Sequence, residues 1–221
     1  MNNYAYAIKI AKGFTVKSRK VENGRFENIA ISDSGVIMAT NGKLAIWMDT
    51  HEKQEIENKV EGGILLNGKT MEQSDTDFRS YPNIDKLILS GKENTSIYTT
   101  ITKLDKHTKI GFNRFVSTIS KNSEDIAKKD TVKLETVGGE LIIKAVEDNI
   151  GAQYTLGSTQ QELKESIFIN IKLLKVALLP FLDRNVSSFD IRLGTRLTPI
   201  LLETTDMKAF VAPLRINKGG I

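Results

Sequence analysis

Two stretches of the 221-residue chain recur about 100 residues further on, and an internal repeat restricts a fold more than any single element does. Gly42, Leu44 and Ile46 match Gly139, Leu141 and Ile143 at a spacing of 97. Each set follows a turn signal, Asn41-Gly42 in one case and Gly138-Gly139 in the other, where both positions of a two-residue hairpin turn want positive φ. Ile64-Leu-Leu-Asn67-Gly-Lys69 matches Ile167-Phe-Ile-Asn170-Ile-Lys172 at a spacing of 103. Both read as a strand, an asparagine cap and a helix carrying a lysine. The spacings predict a duplicated domain, residues 1–105 and 106–221, divided in the polar stretch Thr102-Lys-Leu-Asp-Lys-His107.

Strands dominate. Val36–Thr40 and Lys43–Met48 flank Asn41-Gly42, and Val132–Thr136 and Leu141–Val146 flank Gly138-Gly139. Phe189, Ile191 and Leu193 alternate with polar residues or glycine, and Phe210, Ala212, Leu214 and Ile216 alternate with Val211, Pro213 and Arg215. Two helices are expected. Asn113 caps one with Phe115, Val116 and Ile119 as its apolar stripe and Arg114, Ser117, Thr118 and Lys121 outside. Asn170 caps the other, with Leu174 and Leu178 on one face and Lys172 and Lys175 on another, until Pro180 stops it.

The sequence has no cysteine, which removes disulfides, thiolate nucleophiles and cysteine-ligated metals and agrees with a reducing cytoplasm. No apolar run is long enough to span a membrane, and Lys9 and Lys12 interrupt any leader-like character at the amino end. The first 25 residues hold Lys9, Lys12, Lys17, Arg19, Lys20 and Arg25 against Glu22 alone, while the rest of the chain is near neutral. A basic front end suits a polyanion such as nucleic acid, and equally a solvated charged face.

Gly63-Ile-Leu-Leu-Asn-Gly68-Lys69-Thr70 satisfies the G-x-x-x-x-G-K-[ST] phosphate-loop pattern. Such a loop follows a buried strand and curls its N–H groups around phosphates. Here Ile64-Leu-Leu66 is itself the apolar strand, and the stretch His51–Lys59 before it is too charged to be one. Glu72, Asp75 and Asp77 lack the glycine and terminal glutamate of a calcium loop. His51 and His107 have no partner at metal spacing. No catalytic residue, metal or cofactor is expected.

The order of segments in the second half, Ile167-Phe-Ile-Asn-Ile-Lys, Ser188-Phe-Asp-Ile-Arg-Leu, Pro199-Ile-Leu-Leu-Glu and Phe210–Ile216, resembles the last domain of the bacterial polymerase III β-subunit sliding clamps. Ala212-Pro213-Leu214-Arg215-Ile216 is similar to that family's closing Met-Pro-Met-Arg-Leu. Ala39-Thr40-Asn41-Gly42-Lys43-Leu44-Ala45 is similar to its Ala-Thr-Asp-Gly-His-Arg-Leu-Ala, and Asp77–Pro82 to its Phe-Pro-Asp-Tyr connection. Two domains instead of three would match the eukaryotic and archaeal clamps called proliferating cell nuclear antigen, although those are acidic. A divergent form from a phage or other mobile element fits these departures.

The resemblance implies an α+β fold: a duplicated DNA-clamp fold with antiparallel sheets outside and two short amphipathic helices per domain. It implies a non-enzymatic, cytoplasmic processivity factor, a homotrimeric ring around double-stranded DNA, with a clamp loader as a possible partner. Lys69, Arg114, Lys121, Lys172 and Lys175 would face the phosphates without reading bases. Thr40, Gly42 and Leu44 on one side and Pro213, Leu214 and Ile216 on the other would receive short peptides of polymerases or repair proteins. The alternatives are a clamp-fold module that binds such a protein without encircling DNA, and a P-loop nucleotidase acting through Gly63–Thr70.

Overall fold

The chain folds as two units. The computed structural model describes residues 3–16, 24–52, 62–95, 97–102, 106–122, 130–147, 150–183 and 186–215. One unit comprises residues 1–89 with 205–210, the other residues 90–204 with 211–221. Ile216 and the basic residues Lys17, Arg19 and Lys20 lie outside the described residues.

The first unit opens with helix α1 (Asn3–Ala11), followed by strands β1 (Asn28–Ser32), β2 (Val36–Thr40), β3 (Leu44–Asp49) and β4 (Gly63–Asn67). The amino end therefore carries a helix that its basic composition does not announce. Ala7, Ile8, Ala11 and Phe14 are buried at helical spacing, and α1 packs on β2. The strand order is β4-β1-β2-β3-β12, where β12 is Met207–Val211. Lys208 Nζ sits 3.8 Å above the ring of Trp47.

The second unit holds β5 (Ile97–Thr102), α3 (Lys106–Asn122), β6 (Thr131–Val137), β7 (Glu140–Ala145), β8 (Gln153–Ser158), β9 (Ile167–Asn170), α4 (Ile171–Asp183), β10 (Ser188–Leu193) and β11 (Ile200–Glu203). Helix α2 (Ile84–Glu93) precedes β5. Strands run in the orders β8-β7-β6-β9 and β11-β10-β5. Along the chain a strand, a helix and three strands occur twice, as β5-α3-β6-β7-β8 and β9-α4-β10-β11-β12. The leading strand of each run pairs antiparallel with the strand after the other run's helix, β5 with β10 and β9 with β6. Burial alternates along β10 and β5, as half-buried strands require. Among the described residues the architecture is α+β with antiparallel sheets and four α-helices, as the resemblance implies.

The spacing of 103 is a structural repeat kept to the residue. Asn28 pairs with Asn67 and Ile31 with Ile64, while Thr131 pairs with Asn170 and Leu134 with Ile167. The spacing of 97 matches non-equivalent hairpins. Because β1 corresponds to β6, the counterpart of the β2–β3 hairpin is β7–β8, and the Gly138-Gly139 hairpin joins β6 to β7. A glycine before two alternating apolar residues is common to most hairpins, so it does not identify which one repeats.

Four local expectations need correction. Only Gly42 of the Asn41-Gly42 pair has positive φ, at 81°. That turn covers Asn41–Lys43, with Asn41 Oδ1 accepting from the N–H groups of Lys43 and Leu44. At Gly138-Gly139 both φ values are positive, as a two-residue turn demands. Helix α3 begins at Lys106 and not at Asn113, whose side-chain amide donates to the Lys109 carbonyl within the helix; burial of Phe112 alongside Phe115, Val116 and Ile119 sustains the earlier turns. Helix α4 runs through Pro180 to Asp183. Proline costs about 3 kcal/mol inside a helix, and here fully buried Phe181, its ring 5.0 Å from Phe189, offsets that cost. The final strand ends at Val211 and not at Ile216, with residues 212–215 outside any strand and Leu214 N–H donating to the Phe168 carbonyl.

Phe181→Ala removes the ring that holds the last turn of α4 in place. It should destabilise the second unit by about 3–5 kcal/mol in a denaturant titration, with loss of helical circular dichroism at lower denaturant.

Candidate nucleic-acid and peptide-binding residues

Strand β9 ends at Asn170, whose Oδ1 accepts from the N–H groups of Lys172 and Leu173 and so starts α4. That cap matches expectation. Helix α4 buries Ile171, Leu174, Ala177, Leu178 and Phe181, leaving Lys172 exposed and Lys175 half-buried. Lys172 does not point free into solvent. Its Nζ donates to Asp130 Oδ2 at 2.6 Å, and Asp130 Oδ1 accepts from Ser120 Oγ at 2.8 Å. Asp130, at positive φ, is buried, and its carbonyl accepts from Ile171 N–H at 2.7 Å. One aspartate thus ties the end of α3 to the start of β6 and of α4.

Arg114 and Lys121 lie on the exposed side of α3 and line one open groove of about 600 Å³ with Ile110, Asn113, Ser117, Thr118 and Asn122. No acidic residue occurs anywhere in α3, and α4 has only Asp183 at its end. Helix α1 is also free of acids, and Lys9 and Lys12 are exposed on it and just after it. Composition counts those two lysines only as part of a basic end. A helical period through Ala7, Ile8, Ala11 and Phe14 was the signal that would have put them on a helix surface.

Lys69 is not on a helix. After β4 the chain turns at Asn67, whose Oδ1 accepts from Lys69 N–H and Thr70 N–H. It then doubles back, with Met71 at positive φ, Asn67 N–H donating to the Glu72 carbonyl and a bridge between Leu66 and Gln73. The asparagine cap forms as at Asn170, but the helix is refused because the following residues pair with β4 instead. The same geometry removes the phosphate loop. Gly63–Asn67 is a strand paired with β1, and the N–H groups of Lys69 and Thr70 are already bonded.

Thr40, Gly42 and Leu44 come together in the β2–β3 turn of the first unit. Thr40 Oγ1 donates to the Leu44 carbonyl at 2.7 Å and accepts from Gly42 N–H at 3.1 Å. Thr40 and Leu44 are buried, whereas Gly42 between them is exposed. Pro213 and Leu214 are half-exposed in the second unit, with Leu214 held to β9 by its N–H. In the connection after β4, Tyr81 is buried with its hydroxyl donating to the Asn28 carbonyl at 3.1 Å, and burial pushes its pKa up. Asp77 accepts from Arg79 N–H and its guanidinium, which hold its carboxyl below the usual range. Among the described residues no group of three or more His, Asp or Glu side chains could hold a metal ion. None of the described helices is long and apolar enough to cross a membrane.

No family model matches the chain, and no curated protein sequence does. Solved structures match along nearly all of it. The DNA polymerase sliding clamp of Bacillus subtilis superposes with a TM-score of 0.71 at 13% identity, covering 98% of this chain and 64% of that one. The β clamp of Helicobacter pylori bound to a DNA ligase peptide gives 0.67 at 12%, covering 95% and 62%. The DNA polymerase III β subunit of Thermotoga maritima gives 0.66 at 13%, covering 98% and 65%. The chain has the sliding-clamp fold, and it spans less than two thirds of the length of each of these clamps.

Lys172→Ala should lower stability by about 1.5–3 kcal/mol, the range for a hydrogen bond to a charged group, because it removes the ammonium donor from the buried Asp130 carboxylate. Lys121→Ala, on the open face of α3, should change it by less than about 0.5 kcal/mol. Thermal unfolding of the two variants side by side checks this.

Proposed function

We propose that the chain is a DNA polymerase processivity factor that encircles duplex DNA and tethers client proteins. The observation that carries this reading is a clamp fold whose helices α1 and α3 hold lysine and arginine without a single acidic residue. Lys69, Arg114, Lys121, Lys172 and Lys175 attract the phosphate backbone and read no sequence. Lys172 must release Asp130 to do so, which ranks it below Arg114 and Lys121. No chemistry is required, since topological linkage alone keeps the ring on its track.

Ring closure needs copies of the chain. With two clamp-like domains, divided near residue 105, three chains would supply six domains, closed head to tail in a cytoplasmic homotrimer. A loader would open it. Client peptides meet Thr40, Gly42 and Leu44 in the first unit and Pro213, Leu214 and Ile216 at the carboxyl end. A ligase peptide on the Helicobacter pylori clamp supports that mode of recognition. Leucine at 214, where methionine is frequent in the resembling family, makes a less adaptable surface.

Arg114→Glu with Lys121→Glu should reduce retention on closed circular DNA for every sequence alike. For each cation that directly neutralises a phosphate, its removal should flatten the slope of log affinity against log salt by about one unit. Leu214→Ala should spare DNA and weaken client binding by on the order of 2 kcal/mol. Light scattering that finds a monomer at all concentrations, with no hole in particle images, would favour the non-encircling module. ATP turnover abolished by Lys69→Ala would restore the nucleotidase.

A further inference from the structure

The first unit contains a cleft of about 440 Å³ lined by Lys12, Thr15, Val16, Glu27 and the turn Asn67–Thr70. Its counterpart in the second unit is occupied by protein. The register shared by β1–β4 and β6–β9 sets Glu27 against Asp130, Asn67 against Asn170 and Lys69 against Lys172. The match extends to the backbone. Gly68 N–H donates to the Glu27 carbonyl at 2.8 Å, as Ile171 N–H does to the Asp130 carbonyl at 2.7 Å.

Beyond that bond the units part. In the second, Lys172 pairs with Asp130 and α4 continues over the site. In the first, the chain doubles back along β4, and among the described residues neither Lys12 nor Lys69 forms an ion pair. Gly68 forms the floor. A Cβ there would come within 2.8 Å of Thr15 Oγ1 and 2.9 Å of the Glu27 carbonyl, so the turn can approach this closely only with glycine. Thr70 Oγ1 accepts from Glu72 N–H, which leaves its own O–H to donate. Main-chain nitrogens are already engaged, because Asn67 Oδ1 takes those of Lys69 and Thr70.

We propose that this cleft binds a phosphate group through the side chains of Lys12, Lys69 and Thr70. Two cations and a hydroxyl donor around an open volume of this size supply charge and hydrogen bonds that a phosphate oxygen accepts. Glu27 lines the same cleft, and its carboxylate works against a bound anion, so neutralising it should strengthen binding. The site stands apart from ring closure, because it lies wholly within one unit of one chain.

The test uses the full chain with two probes, inorganic pyrophosphate by calorimetry and a short labelled duplex by fluorescence anisotropy. Lys12→Ala with Lys69→Ala should weaken pyrophosphate binding about tenfold or more, a loss of about 1.4 kcal/mol or more. Lys43→Ala, an exposed lysine of the same unit, should leave it unchanged, and Glu27→Gln should tighten it. Duplex affinity falling in parallel assigns the phosphate to a DNA strand, and pyrophosphate affinity falling alone assigns it to a free nucleotide. The proposal is overturned if the wild type binds neither probe at millimolar concentration, or if the double variant binds like Lys43→Ala while circular dichroism reports a native fold. Retention on circular DNA, measured separately, tests the clamp reading whatever the outcome here.

Discussion

The antiparallel pairing of β6 with β9 decides where most of the second unit must lie. It joins segments more than 30 residues apart, Thr131 to Asn170 and Leu134 to Ile167. A slip of β9 by one residue would turn Ile167 and Ile169 out of the core together. Because the pairing stops at Asn170, the helix cap falls there, and Ile171 N–H reaches the carbonyl of Asp130. The Asp130 side chain is then caught between Ser120 and Lys172, so a strand register fixes an ion pair between the turn before β6 and helix α4. The pair is local in energy, but its location is inherited from the sheet.

The same register in the first unit leads elsewhere. Pairing of β1 with β4 presents Asn67 and Gly68 as it presents Asn170 and Ile171, yet glycine lets the turn sink against Thr15 and the chain returns along β4. Isoleucine at the equivalent place is fully buried and anchors a helix. A backbone repeat can therefore be conserved to the residue while the element after it is exchanged, provided that the first side chain past the sheet differs in what it can bury.

Much of this was legible in the sequence, for reasons that differ by element. The Gly138-Gly139 hairpin and the alternation of β10 are local, and local rules find them. The Asn170 cap is local too, and it forms as read. The spacing of 103 was readable because apolar strand residues repeat, whereas the helix after Lys69 was not excluded, since nothing within Asn-Gly-Lys-Thr tells a capped turn from a capped helix. Helix α1 was hidden by its lysines, which drew attention to charge and away from the period of Ala7, Ile8, Ala11 and Phe14. Pro180 shows tertiary burial overriding a reliable breaker. For the site, residue types were readable and pairings were not: no pattern along the chain links Lys172 to an aspartate 42 residues earlier.

Trp47 is the sole tryptophan of the chain, half-buried on β3 beneath the ammonium group of Lys208. The second unit has only Tyr98 and Tyr154 besides its phenylalanines. Excitation at the red edge of the aromatic band therefore illuminates one unit and leaves the other dark. A charge held against the indole makes that emission sensitive to any shift between β3 and β12, so the protein carries its own optical gauge of the first unit, without a label and without a signal from the second.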